Sequence, residues 1–414
     1  MTQEPATPAL QKSVNGNPSL ASGHAHIMES SVPALPSRSW AEIDLSAWRD
    51  NFRAVAAAVA PAGVAPVIKA NAYGLGARAA GQEFCRAGAR FLVVSCIHEA
   101  LELVDNHTAV LLLGGPLPEE IPCILEAGVS VSVPDLETAR LISATARELG
   151  CRARVHLKID TGMGRLGLPL AQARDIIRRI AALPALELEG IYSHFPAALR
   201  HDALTLGQVR GLAALIGELE DDGIRFRFRH IANSTATAGL PQATRPPFNM
   251  VRCGIDLHGA HLSITPRPYR TRPVLNLKAR LLAVRRLPPG TTVSYGRTYR
   301  VEHPQGERIG VVTIGYADGY PRCLSNRGQM LVQGDRCRVV GRVCMDYTMV
   351  SLENVPAARV GDTVVIIGRQ GNETIPLAEV ARTAETIPYE IICGLGTRVK
   401  RFYTDGHDNS TTGV

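Results

Sequence analysis

Between Val64 and Gly254 the chain repeats one pattern eight times: a short apolar run, often followed by a stretch with helical spacing. The runs are Val64–Lys69, Phe91–Cys96, Ala109–Leu113, Val129–Val133, Arg154–Ile159, Leu186–Phe195, Phe226–Asn233 and Asn249–Gly254. The first is apolar on both faces, as strands of a covered parallel sheet are. Ala171–Leu183 and Thr205–Leu219 are examples of the intervening helical stretches. Eight such units over this length predict a (β/α)8 barrel, an α/β fold. After Pro266 the helical patterns stop. Short β-rich runs with Gly/Pro turns replace them: Leu275–Val284, Arg308–Ile314, Gln329–Val332, Cys337–Val343, Thr348–Leu352 and Thr363–Ile367. They predict a C-terminal, mostly-β domain. The expected organisation is a disordered leader over 1–38, the barrel over 39–265, the β domain over 266–404 and a disordered tail over 405–414, with the boundary near Ser263–Arg270. The strand Trp40–Leu45 is left over and is assigned to pair with the β domain, and Ser46 is placed to cap the helix behind it. A short helix is expected from Pro376, and Tyr389–Arg401 reads as extended.

Composition removes several function classes. The formal charge of +7 is mild for 414 residues, and no Lys/Arg run is flanked by aromatics, so nothing points to nucleic acid. No apolar run reaches membrane-spanning length. The leader is rich in Pro, Ser, Ala and Thr without the apolar core of a secretory signal. Nine cysteines lie far apart with no C-x-x-C, which implies reduced thiols in a cytoplasm and no zinc or disulfide framework. His24 and His26 are the nearest approach to a metal pair and lack companions.

A barrel gathers its chemistry where the strands end. Strand one runs into Ala65-Pro-Val-Ile-Lys-Ala-Asn-Ala-Tyr-Gly-Leu-Gly76. At such a mouth Lys69 is expected to be partly desolvated, with a lowered pKa, and able to form a Schiff base with a carbonyl such as that of pyridoxal 5'-phosphate (PLP). Taken alone, the same lysine reads as a solvated strand end. Strand five runs into Lys158-Ile-Asp-Thr-Gly-Met-Gly-Arg-Leu-Gly167, six into Ser193-His194-Phe195, seven into Ala232-Asn233-Ser234, and eight into Val251-Arg252-Cys253-Gly254-Ile255. The last two fit a phosphate site, with a hydroxyl at Ser234 and close backbone approach at Gly254. Gly162–Gly167 also matches a dinucleotide fingerprint, weakly. Pro169 interrupts the expected helix, and Glu187 and Glu189 sit at the start of the next strand instead of its end. In the β domain Tyr295 lies in the Gly-containing turn Val293–Tyr299; alone, it reads as a turn tyrosine packing its ring.

In combination these motifs resemble the alanine racemase family, over Ser39 to Tyr403. The resemblance implies that Lys69 carries PLP and that Tyr73 and Tyr389 hydrogen-bond its phosphate; Ser234, Gly254 and Ile255, from the last two strand ends, are the further cofactor-binding candidates. Arg165 would contact the phenolic oxygen, and Lys158 is at a position often carbamylated to hold that arginine. His194 would stack beside the pyridine ring. Arg252 would face the pyridine nitrogen; a guanidinium only donates, so it should leave that nitrogen unprotonated. Tyr295 matches the second catalytic base. Two further runs, Ile314–Gly319 and Arg342–Asp346, imply Tyr316 and Arg322 at the entrance, with Met345 and Asp346 beside the substrate. The family's head-to-tail homodimer implies that each site borrows Tyr295, Tyr316, Met345 and Asp346 from the other subunit. Leu166 stands where broad-specificity relatives tend to carry asparagine, which favours alanine. Three departures show: Leu75 for a frequent histidine, Pro196–His201 for a stretch usually bearing an aspartate, and Asp256-Leu-His258 where a tyrosine is usual. The implied activity is two-base interconversion of L- and D-alanine, supplying D-alanine for peptidoglycan. A serine or broad-specificity racemase is the alternative. A non-catalytic PLP-binding barrel would lack the second domain, and a PLP decarboxylase would carry other motifs around the lysine.

Overall fold

The computed structural model describes residues 37–104, 108–198, 200, 202–261 and 267–406. Most of the expected leader with His24 and His26, most of the tail, part of the Pro196–His201 segment and Ser263–Pro266 at the expected boundary lie outside the described residues.

All eight expected barrel strands form. They are Gly63–Pro66, Phe91–Val94, Ala109–Leu112, Ser130–Val133, Ala153–Asp160, Leu186–Tyr192, Phe228–Asn233 and Met250–Cys253. Each pairs in parallel with its neighbour, and the last pairs with the first. The ring closes at Val67, which bridges Val93, and at Ile68, whose N–H reaches the Val93 carbonyl at 2.9 Å. Helices cover the outside through apolar faces of helical period. In Leu170–Ala181 the buried residues are Ala173, Ile177 and Ile180.

The leftover strand, Ser39–Asp44, leaves the barrel. It pairs antiparallel with Leu275–Leu287 and parallel with Lys400–Thr404, inside the sheet of the C-terminal part. The cap of the next helix is Asp44, not Ser46: the strand runs to Asp44 and the helix starts at Leu45, so Ser46 is already helical. Asp44 accepts from the Ala47 N–H at 2.9 Å and from the Ser46 hydroxyl at 2.7 Å. Burial pushes its carboxyl up, but these bonds and Arg272 outweigh that and hold it below the ordinary value. Such a cap stabilises by about 0.5–2 kcal/mol.

In the C-terminal part, Leu275–Leu287 is the central strand, flanked by Glu307–Val312 and Thr363–Gln370. The run Cys337–Val343 is shorter than expected; its strand is Asp335–Arg338, and the chain then turns towards Met345. A helix does follow Pro376, at Leu377–Thr383. Tyr389–Arg401 is not extended as a whole. A helix spans Pro388–Cys393, started by its proline and seated on Ile391 and Ile392, and only Lys400–Thr404 is strand. Among the described residues no helix is long and apolar enough to cross a membrane.

Candidate active site

Strand one hands over to the lysine through an unusual turn. Ala70, Asn71, Ala72 and Tyr73 all have positive φ, at 51°, 55°, 51° and 57°. Left-handed backbone costs roughly 1–2 kcal/mol per non-glycine residue and persists only where the surroundings hold it. Here the N–H of Ala72 bonds the Ile68 carbonyl at 2.8 Å and that of Gly74 bonds the Ala70 carbonyl at 2.7 Å. The Glu99 carboxylate accepts from the N–H groups of Ala70 at 2.6 Å and Ser95 at 2.7 Å. Lys69 opens this turn and is exposed, not partly desolvated as expected, because it stands at the open rim.

A cavity of about 590 Å³ opens at this end of the barrel. Lys69, Tyr73, Lys158, Arg165, Leu166, His194, Ser234, Arg252, Gly254 and Tyr389 line it, so ten sequence-selected residues meet there. Ile255 is buried one residue beyond Gly254 and does not line it. Ser95, Tyr192 and Asn233 line it without having been singled out for a role. Tyr192 had a usable signal: it is the last residue of its strand, two before His194.

One end of the cavity is a cradle of neutral donors. The Tyr73 and Tyr389 rings lie 5.5 Å apart, and burial pushes both phenols up, so both keep their protons. The Gly254 N–H donates to Ser234 Oγ at 2.9 Å. A Cβ on Gly254 would fall 2.1 Å from the Tyr73 hydroxyl. His258, one of the departures, packs edge-on against Tyr73 at 5.1 Å and accepts from the Trp48 indole at 2.9 Å, so it buttresses the cradle from behind.

The other end is cationic. Arg252 is 3% exposed and donates to the Ser193 carbonyl at 2.8 Å and to His194 Nδ1 at 3.3 Å. Burial lowers its pKa to about 10, which leaves it charged at neutral pH. Burial, then Arg252 and Arg165, lower His194 to about 3, so its imidazole is neutral. Burial, then Arg165 and Arg252, lower Lys158 to about 8. The glycine motif beside it is a turn around Asp160, whose carboxylate accepts from Gly162 and Met163 at 2.8 Å and from Gly164 at 2.9 Å. It presents Arg165 to the cavity and does not open a nucleotide-binding helix.

Tyr295, Tyr316, Met345 and Asp346 do not line this cavity. They belong to the β domain, where Tyr295 is 71%, Met345 52% and Tyr316 44% exposed. Ser294, Gly296 and Arg297 around Tyr295 have φ of 66°, 70° and 50°. The Ser294 hydroxyl ties this turn to the Arg342 carbonyl at 2.6 Å. A Cβ at Gly315 would meet the Cys344 and Met345 carbonyls at 2.3 Å, so glycine there lets the Tyr316 and Met345 loops touch. Asp346 pairs with Arg398 at 2.8 Å, and Arg322 is exposed. Among the described residues no group of three or more His, Cys, Asp or Glu side chains could hold a metal ion.

Residues 43–261 match the family model of the alanine racemase N-terminal domain, and residues 274–403 match that of the C-terminal domain. The chain is 42% identical over 371 residues to the alanine racemase of Desulforamulus reducens, covering 88% of this chain and 98% of the relative. It is 40% identical over 372 residues to that of Desulfovibrio desulfuricans, with coverage of 88% and 98%. Among solved structures, the alanine racemase of Clostridium difficile 630 superposes with a TM-score of 0.84 at 31% identity, covering 90% of this chain and 97% of that one. The alanine racemase from Bartonella henselae, solved with covalently bound pyridoxal phosphate, gives 0.80 at 28% identity, with coverage of 89% and 100%. The barrel, the β domain and these matches define an isomerase of the amino-acid racemase class. Within that class, the chain belongs to the alanine racemase family.

Proposed function

We propose that this protein is a PLP-dependent racemase that interconverts L-alanine and D-alanine, with Lys69 and Tyr295 as its two bases, and so supplies D-alanine for peptidoglycan. The observation that carries the reading is the cavity that joins an amine, a cradle of hydroxyls and a buried guanidinium in one space. Its shape fits PLP: the close approach at Gly254 leaves room for a phosphate among Tyr73, Ser234, Gly254 and Tyr389. The buried donor Arg252 suits the pyridine nitrogen, and Lys69 suits the carbonyl. When bound, PLP supplies the carbonyl that takes up the substrate amine and a conjugated ring that makes the α-proton acidic.

The chain's own residues do the rest. Racemisation takes a proton from one face of Cα and returns one to the other, and one base cannot easily reach both. The Lys69 amine serves the face that yields D-alanine and the Tyr295 phenol the opposite face. Within one chain Tyr295 stands on an exposed turn outside the cavity, which supports a head-to-tail homodimer in which each barrel receives Tyr295, Tyr316, Met345 and Asp346 from its partner. Arg252, a donor at any physiological pH, would hold the ring nitrogen without giving up a proton. Leu166 lines the cavity, an apolar neighbour that suits the methyl group of alanine better than the hydroxymethyl of serine.

The test is direct. Purified protein supplied with PLP is given L-alanine, and D-alanine is followed by chiral chromatography. Borohydride reduction followed by peptide mapping should place the pyridoxyl group on Lys69. Absence of D-alanine, or label on another lysine, sinks the proposal.

Lys158 gives a pH-dependent prediction. Its amine, lowered to about 8, is increasingly free as pH rises through that value. A free amine adds carbon dioxide to form a carbamate and releases one proton. With 13C-bicarbonate, a carbamate NMR signal should appear, grow from pH 7 to pH 9 and vanish in Lys158→Met. A signal that survives in Lys158→Met would place the carbamate elsewhere.

A further inference from the structure

The barrel interior holds a polar chain that the two-base reading does not use. The Ser130 hydroxyl donates to Glu189 Oε2 at 2.6 Å, and His156 Nε2 lies 3.1 Å from the same oxygen. His156 Nδ1 is 3.0 Å from His230 Nε2, and His230 Nδ1 is 2.6 Å from Arg252 Nη1. Ser130, His156 and His230 are fully buried, and Glu189 and Arg252 are 3% exposed. The chain crosses five strands. Gly190 makes room for it, since a Cβ there would fall 2.3 Å from His156 Nδ1. Ring packing holds the imidazoles: His230 stacks on Tyr192 at 4.9 Å and His156 on Phe228 at 5.9 Å. Barrel interiors are normally filled by branched apolar side chains, so a buried polar chain is costly unless every member is satisfied.

Only one arrangement of protons satisfies it. Arginine only donates, so His230 Nδ1 must accept. Burial and the Arg252 charge keep His230 neutral, so its proton sits on Nε2 and points at His156 Nδ1. Burial likewise favours neutral His156, whose proton then sits on Nε2 and points at Glu189. Every donor in the chain faces away from Arg252 and towards the carboxylate. The other Arg252 contacts within hydrogen-bond reach are the Ser193 and Ile231 carbonyls and His194.

We infer that Glu189 is a positioning residue for Arg252, acting through His156 and His230. Arg252 sets the direction of both imidazoles, and the Glu189 carboxylate completes it by accepting the His156 N–H that would otherwise be buried unpaired, so that His230 keeps a lone pair on the guanidinium. Were the chain reversed, His230 would set an N–H against the Arg252 N–H, and the guanidinium would be pushed out of register. What Arg252 does for the reaction rests on the PLP reading; the tautomers do not.

The experiment is 15N NMR of 15N-histidine-labelled full-length protein, free of cofactor, with His156 and His230 assigned by His→Gln variants. Both should appear as neutral Nε2–H tautomers. Glu189→Gln keeps an acceptor oxygen and should leave both spectra unchanged; Glu189→Leu strands the His156 Nε2–H without an acceptor and should shift the His156 and His230 resonances. With PLP added, Glu189→Leu should lose on the order of 10²-fold in kcat, the scale of a small misplacement, while KM changes less. An Nδ1–H tautomer or an imidazolium at either histidine in the wild type overturns the inference, and so does an unshifted His230 in Glu189→Leu. If Glu189→Leu does not fold, His156→Phe, which cuts His230 off from Glu189, is read in the same two ways. An inactive wild type with these tautomers would sink the racemase reading alone, and an active one with reversed tautomers would sink this inference alone.

Discussion

Mixing a Lys69→Ala chain with a Tyr295→Ala chain should restore racemisation that neither chain has by itself. Each variant alone should fall at least 10²–10⁴-fold, roughly the contribution of one proton-transfer group. In a symmetric dimer with random exchange, half the dimers are hybrids, and each hybrid has one intact site of two. The mixture should therefore recover roughly a quarter of wild-type activity. The expectation follows from where the residues stand. Lys69 lines the barrel cavity, whereas Tyr295 sits 71% exposed on a strained turn outside it. Ser294 and Arg297 both have left-handed backbone, and the Ser294 hydroxyl ties the turn to the Arg342 carbonyl. An exposed aromatic held rigidly suits a partner surface better than solvent. No recovery, with subunit exchange verified and both variants folded, would end the shared-site proposal.

The barrel was legible because its signal is local. An apolar run and the period of the next helix can be read within about twenty residues, and each expected strand overlaps an observed one. What escaped depends on distant partners. The left-handed turn at Lys69 has only one residue of a type that favours such φ, Asn71, before Gly74; it is held by Glu99, 29 residues further on. The exposure of Lys69 likewise follows from the open rim, which no local pattern reveals. Glu189 was read only against a dinucleotide fingerprint, because its partners are 33 and 59 residues away in sequence. The helix Pro388–Cys393 did leave a local sign, its N-terminal proline, but six residues are too few for periodicity to show. Both the cavity residues and the β-domain residues proposed to join them could be read as motifs. That one chain leaves them apart depends on the packing of the barrel against the β domain.

Gly254→Ala should weaken PLP binding by about 10²-fold or more while leaving the fold intact. The backbone at Gly254, with φ −122° and ψ −84°, lies outside the helical and strand regions, so alanine adds backbone strain to the steric clash. The new Cβ would stand 2.1 Å from the Tyr73 hydroxyl and 2.9 Å from its Cζ. Tyr73 has little room to retreat: its ring is pinned by His258 at 5.1 Å and Tyr389 at 5.5 Å, and its backbone is locked in the left-handed turn. Either the phenol swings away or the strand end moves and Gly254 leaves Ser234. Each route removes donors that would hold a phosphate, at about 1.5–3 kcal/mol per bond to a charged group, or roughly tenfold to a hundredfold each. Overpacking should cost the fold about 1–3 kcal/mol, too little to unfold a domain of ordinary stability. Tyr73→Phe should lose about tenfold on its own, because it removes one donor without a clash. The double variant is the sharpest measurement. Removing the hydroxyl takes away the atom that the Cβ strikes, so the two losses should fall short of additive. Titration of the cofactor-free variants with PLP reads all three. If neither single variant weakens binding, the phosphate does not sit between Tyr73 and Gly254, and the assignment of this cavity to PLP fails with it.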